Sequence, residues 1–172
     1  MSRLFIILAF FSLFILEVNS QNLNQVSLRF SPTQFELNFQ RKLILEKVWS
    51  EAFIGLGNQG INSNYDDYLA GLRIGTPLFF NEKSTIHLAA IVGVYLPNND
   101  FYAAVTPVFG LLAGYSRYIG KPHRHSMLIH LGYQYGQRNY IHEYRTNDIS
   151  IATTGNFKLS PIHFSIGYGY NF

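Results

Sequence analysis

His163-Phe164-Ser165 places an imidazole and a hydroxyl two residues apart, and on a strand that spacing puts both on one face. An imidazole within hydrogen-bond reach of a serine can take its proton and start acyl transfer, provided a third group orients the ring. No acidic residue follows Ser165. Ordinary polar packing is therefore the expectation, and no catalytic residue is assigned. His123-Arg124-His125 offers two imidazoles at i and i+2 with no carboxylate or third ligand beside them. A protein zinc site needs three or four ligands, so a solvated basic loop touching lipid phosphates fits better than a metal site. His142-Glu143-Tyr144-Arg145, with Tyr140 just before it, reads either as a ligand-contacting loop or as the extended ends of two strands; the second is expected. His87 and His130 fall on polar strand faces and are expected to be hydrogen-bonded interior residues. Gly55-Leu56-Gly57 lacks the third glycine of a dinucleotide loop, and neither a Walker A loop nor HExxH occurs. No metal or cofactor is expected.

The elements that would carry these residues are strands. Over Ile162–Phe172, Phe164, Ile166, Tyr168, Tyr170 and Phe172 alternate with His163, Ser165, Gly167, Gly169 and Asn171. Large apolar or aromatic residues fill the first set and none of the second, the period of a strand with two unlike faces. The same division recurs at about 33–43, 48–57, 69–80, 85–96 and 127–138, and more weakly at 102–118 and 148–157. Val26–Phe30 reads as a ninth short strand or an N-terminal extension. Pro107 argues against a central strand or marks a bulge. Turn signals separate the segments, among them Asn81-Glu82-Lys83-Ser84 and Pro97-Asn98-Asn99-Asp100. The connections 58–68 and 139–147 look long.

Composition narrows the class. The 172 residues carry 13 Lys+Arg and 10 Asp+Glu, a net charge of +3, too mild to argue for nucleic acid. Charged residues make up 13%, about half the soluble-domain average of roughly 25%. Cysteine is absent, which removes disulfides, thiolate sites and lipid anchors built on cysteine. Arg3, the apolar run Leu4–Leu16 and the polar close at Ser20 read as a secretory signal peptide over residues 1–20. The run is short for a bilayer-spanning helix, which needs about 20 residues; an N-terminal membrane anchor is the alternative. Residues 21–172 then form one domain.

Alternation alone suits a soluble barrel as well as a membrane one. The polar faces decide between them, because they carry mostly Gly, Ser, Asn, Gln and His rather than the Lys and Glu of a water-facing strand. Small polar residues suit the packed interior of an eight-stranded barrel. The apolar faces, with tyrosines toward strand ends, suit hydrocarbon between aromatic girdles. A sheet in lipid must close, since each unpaired backbone group there costs several kcal/mol. The expected fold is all-β: a transmembrane antiparallel up-and-down β-barrel of about eight strands. Strands of about 10–11 residues fit eight times into residues 21–172, but not sixteen times. Glu36, Glu51 and Arg73 then point inward as an interior charge cluster, with Arg73 expected to bridge one or both glutamates. The alternative is that one of the three sits at a solvated rim.

The export signal, the alternating strands and the terminal Tyr168-Gly169-Tyr170-Asn171-Phe172 resemble small outer-membrane β-barrel proteins of Gram-negative bacteria. Phe35–Leu43 is also similar to the opening strand of a poorly characterised barrel-domain family. The resemblance implies a cell outer-membrane location, outer-membrane lipid as surroundings, and Tyr168, Tyr170 and Phe172 as the signal read by the barrel-assembly machinery. His163-Phe164-Ser165 resembles the His-x-Ser of outer-membrane lipid A deacylases. That class presents the pair to lipid, whereas here Phe164 and its companions claim that face. The functional expectation is a non-enzymatic integral barrel, structural or recognising partners through its loops, with no open pore. The rival readings are a barrel-borne lipid- or lipopolysaccharide-modifying enzyme, a secreted soluble barrel binding an apolar ligand, and a narrow pore.

Overall fold

The computed structural model describes residues 24–43, 47–57, 67–96, 105–120, 123–146 and 149–172. The signal-peptide segment 1–20 lies outside them. Ten strands follow one another, and no helix occurs among the described residues. They are β1 (Asn24–Phe30), β2 (Gln34–Lys42), β3 (Trp49–Gly57), β4 (Asp67–Asn81), β5 (Ser84–Leu96), β6 (Thr106–Ile119), β7 (His125–Tyr135), β8 (Gln137–Thr146), β9 (Ile149–Lys158) and β10 (Ile162–Asn171). Eight of them close an antiparallel barrel in the order β1-β10-β7-β6-β5-β4-β3-β2. β8 and β9 pair only with each other, as a hairpin set between β7 and β10.

The strand count of eight holds for the barrel, but its membership differs from the sequence reading. Val26–Phe30 is a full barrel strand. It pairs with β2 from Asn24↔Arg41 to Phe30↔Phe35, and with β10 from Gln25↔Asn171 to Phe30↔Ile166. Without it the sheet would keep two open edges. The candidate strand at 148–157 corresponds instead to β9 from Ile149 onward, outside the barrel. Its partner β8 spans Gln137–Thr146 and so takes up most of 139–147, the stretch expected as a long connection, and β7 stops at Tyr135 rather than running to Arg138. The reason lies at the root of the hairpin. Gly136 interrupts the strand, its carbonyl accepts from the Leu159 amide at 2.9 Å, and Phe157 and Leu159 turn into the barrel mouth. Pro107 sits within β6 opposite Val94, near the start of the strand. The register slips instead between Pro77 and Phe79, where a proline cannot donate to the ladder.

Side-chain parity follows the alternation. Ile166 and Leu131 point outward, 53% and 59% exposed, while Gln134 on the other parity is 2% exposed. The outer surface is apolar around the barrel, from Leu28 and Leu37 through Ile54, Leu72 and Leu88 to Ile129. The β2–β3, β4–β5 and β6–β7 connections lie at one end of the barrel, together with Asn24 and Phe172, which exchange backbone hydrogen bonds of 3.1 and 2.9 Å. This is the short-turn end. Its β4–β5 turn is held by Asn81, whose Oδ1 accepts from the amides of Lys83 and Ser84 at 2.9 and 2.8 Å. The opposite end carries the β1–β2, β3–β4 and β5–β6 connections and the β8–β9 hairpin.

Candidate functional site

The inward residues form three layers. At the hairpin end the layer is apolar: Leu69, Ile91, Val108, Tyr95, Phe157 and Leu159 pack together, with the Tyr95 and Phe157 rings 5.0 Å apart. Tyr95 satisfies its hydroxyl by donating to Asp67 Oδ2 at 3.1 Å. Gln134 fastens the hairpin root. Its amide donates to the Pro161 carbonyl at 2.8 Å and its Nε2 to the Ser160 carbonyl at 3.1 Å, while its Oε1 accepts from Gln34 Nε2 at 3.3 Å.

The middle layer is ionic. Glu51 and Arg73 are direct cross-strand partners on β3 and β4. Arg73 Nη1 donates to Glu51 Oε1 at 2.7 Å and to Asn38 Oδ1 at 2.9 Å. Its Nη2 donates to both oxygens of Glu36, at 2.7 and 2.8 Å. The structure thus brings Glu36, Glu51 and Arg73 together, with Arg73 touching both glutamates. It adds a fourth member: Arg29 of β1 grips Glu51 with two hydrogen bonds, Nη1 to Oε1 at 2.7 Å and Nη2 to Oε2. Arg73 and Glu51 are 1% and 0% exposed, so none of this is rim chemistry. Two cations and two anions cancel, which a fully desolvated group of charges requires. The Arg73 guanidinium also lies over the Phe53 ring, 4.0 Å from its centre, an arrangement favourable to a cation. Arg29 lies outside the expected cluster because β1 reads as a marginal strand. The signal was there, since Gln25, Ser27 and Arg29 alternate with Val26, Leu28 and Phe30.

The third layer faces the short-turn end. His87 and His130 lie buried with their Nε2 atoms 3.1 Å apart, and the Trp49 ring meets His87 edge-on with centres at 5.2 Å. One imidazole must donate and the other accept, so the pair holds a single shared proton at that contact. Gly114 makes room for the pair. A β-carbon there would overlap His87 Nε2 and stand 2.5 Å from His130 Cδ2. Gly114→Ala is expected to cost about 1–3 kcal/mol, the usual range for overpacking a filled core. Chemical unfolding followed by circular dichroism checks this, and an unchanged midpoint would show that the imidazoles have room to move.

The remaining sequence candidates are placed as follows. His163 and Ser165 are both buried inside the barrel, and neither His163 Nδ1 nor Ser165 Oγ has a hydrogen-bond partner among the described residues. The pair therefore faces the interior rather than the outer surface. His123 and Arg124 lie in the β6–β7 turn, His123 with a φ of +67°, and His125 begins β7. His125 Nδ1 is hydrogen-bonded to the Tyr168 hydroxyl on the outer face. No group of three or more His, Asp or Glu arranged to hold a metal occurs among the described residues. The backbone of His142–Arg145 is extended within β8. Tyr168, Tyr170 and Phe172 all point outward, and the Tyr170 and Phe172 rings stack at 6.4 Å. No protein-family model, curated protein or solved structure matches this chain.

Proposed function

We propose that this protein is an integral outer-membrane β-barrel without enzymatic activity or open pore, whose task is structural or lies in recognition at the cell surface. The observation that carries the reading is the outer surface of the closed barrel. It is apolar on every strand, with Ile and Leu at strand middles and Tyr133, Tyr135, Tyr168 and Tyr170 toward strand ends. Soluble monomers rarely expose contiguous apolar patches beyond a few hundred Å². A hydrocarbon layer between aromatic girdles accounts for this one. A soluble carrier of an apolar ligand needs the opposite parity and an apolar hollow. Here the interior centre is ionic, and the cavity beside it toward the hairpin end measures about 10 Å³, room for at most one water.

The same filled centre argues against conduction, because Arg29, Glu51, Arg73, Glu36 and Phe53 occupy the lumen at one level. Membrane barrels keep short turns on the periplasmic side and longer elements outside. By that rule the β8–β9 hairpin stands on the cell surface and is the recognition element. Outer-membrane lipid surrounds the barrel. Tyr168, Tyr170 and Phe172 form the outward strip offered to the barrel-assembly machinery. Fractionation of expressing cells tests the reading. The full chain is expected in the outer-membrane fraction, resistant to carbonate, migrating differently on a gel before and after boiling, and silent in planar bilayers. Release by carbonate would sink the membrane assignment, and steady conductance would sink the closed lumen.

A further inference from the structure

The lumen is not filled throughout. Between the His87–His130 pair and the short-turn end, a chamber of about 310 Å³ opens, lined among others by Gln25, Gln40, Lys42, Lys47, Trp49 and Tyr118. A second chamber of about 160 Å³ adjoins it and shares Gln25, Gln40, Lys42, Phe80 and Tyr118. We infer that this vestibule is a binding site for a small sugar acid, a pyranose carrying one carboxylate.

Three features of the lining select that class. Trp49, Phe80 and Tyr118 supply aromatic surface for the apolar face of a sugar ring. Gln40, Thr85 and Ser116 supply amides and hydroxyls, the mixed donors and acceptors that a polyhydroxyl ligand satisfies. Lys42 and Lys47 stand at the mouth. Lys83 and Arg124 lie in turns at the same end of the barrel, against Glu82 among the described anionic side chains there. Such a field draws in anions. An aromatic carboxylate would match the rings and lysines but leave the amides and hydroxyls unpaired, which costs affinity.

The wall is built rather than incidental. Gln25 is more than nine-tenths buried, and its Nε2 is fixed by Ser126 Oγ at 2.9 Å and Asn171 Oδ1 at 2.8 Å. Its Oε1 is sealed within the wall and has no hydrogen-bond partner among the described residues. Asn171 is held in turn by donating to the His123 carbonyl at 2.9 Å, and Thr85 Oγ1 lies 3.3 Å from the Tyr118 hydroxyl.

Trp49 is the only tryptophan of the chain and lines this vestibule, so its fluorescence reports directly on occupancy. The full chain, folded in detergent micelles, is titrated with D-glucuronate, D-glucose and benzoate. A saturable change in Trp49 emission is expected with glucuronate, at least tenfold tighter than with glucose or benzoate. Lys42→Gln with Lys47→Gln is expected to bring glucuronate down to the glucose level, and Gln40→Ala to weaken both sugars while sparing benzoate. No saturable change with any probe would overturn the site. Benzoate binding as tightly as glucuronate would overturn the sugar, and undiminished glucuronate binding by the double lysine variant would overturn the acid. Because all measurements run in micelles on folded protein, they stand or fall separately from cellular location.

Discussion

Arg73→Leu is expected to lower the unfolding free energy by about 3–5 kcal/mol, the range for removing one partner of a buried ion pair. The argument rests on what is left behind. Glu36 receives both of its side-chain hydrogen bonds from Arg73, and Glu51 loses one of its two cationic partners. A leucine would leave the Glu36 carboxylate buried without the guanidinium that donates to both of its oxygens. The double variant Glu36→Leu with Arg73→Leu is the informative control. It keeps the bidentate Arg29–Glu51 contact and removes a whole ion pair, a change that is often neutral or stabilising when apolar groups fill the volume. The double variant should therefore recover most of what the single one loses. Urea unfolding in micelles, followed by Trp49 emission, measures both. Equal midpoints for parent and Arg73→Leu would mean that the charges are solvated and the ionic layer carries no stability.

Ile166→Arg should cost about 2–4 kcal/mol in lipid vesicles, the penalty for an arginine facing hydrocarbon at the midplane of a membrane barrel. Ile166 sits at the middle of β10, points outward, and pairs with Ile129 on one side and Phe30 on the other. The same exchange on a water-facing surface would fall within about ±0.5 kcal/mol. One substitution therefore separates the two environments by more than the error of a folding titration. Asn156→Arg, on the exposed part of the β8–β9 hairpin, is the control and should be silent. An Ile166→Arg barrel as stable as its parent in vesicles would place water, not lipid, against β10.

Much of this molecule could be read before folding it, for a simple reason. Two-residue periodicity is a local property, and each strand declares its faces without reference to its neighbours. That is why Tyr168 and Ile166 could be set apart from Gly167 and Ser165, and why Glu36, Glu51 and Arg73 could be assigned to one side. Strand partnership is different, because it depends on closure. β1 looks too short to matter until β10 needs a neighbour and Glu51 needs Arg29. The 148–157 segment looks like a barrel strand until β8, equal to it in length, lies beside it.

The amino-acid sequence by itself determined the all-β class, the two unlike faces and the inward charges, because alternation and composition are written residue by residue. The tertiary structure alone decided which eight strands close, that the ions form a neutral four-membered cluster, and that the lumen is plugged at its middle and hairpin end but hollow at the short-turn end. Those are matters of how side chains from distant strands share one narrow volume, and volume is settled only when the sheet curls and its first strand meets its last.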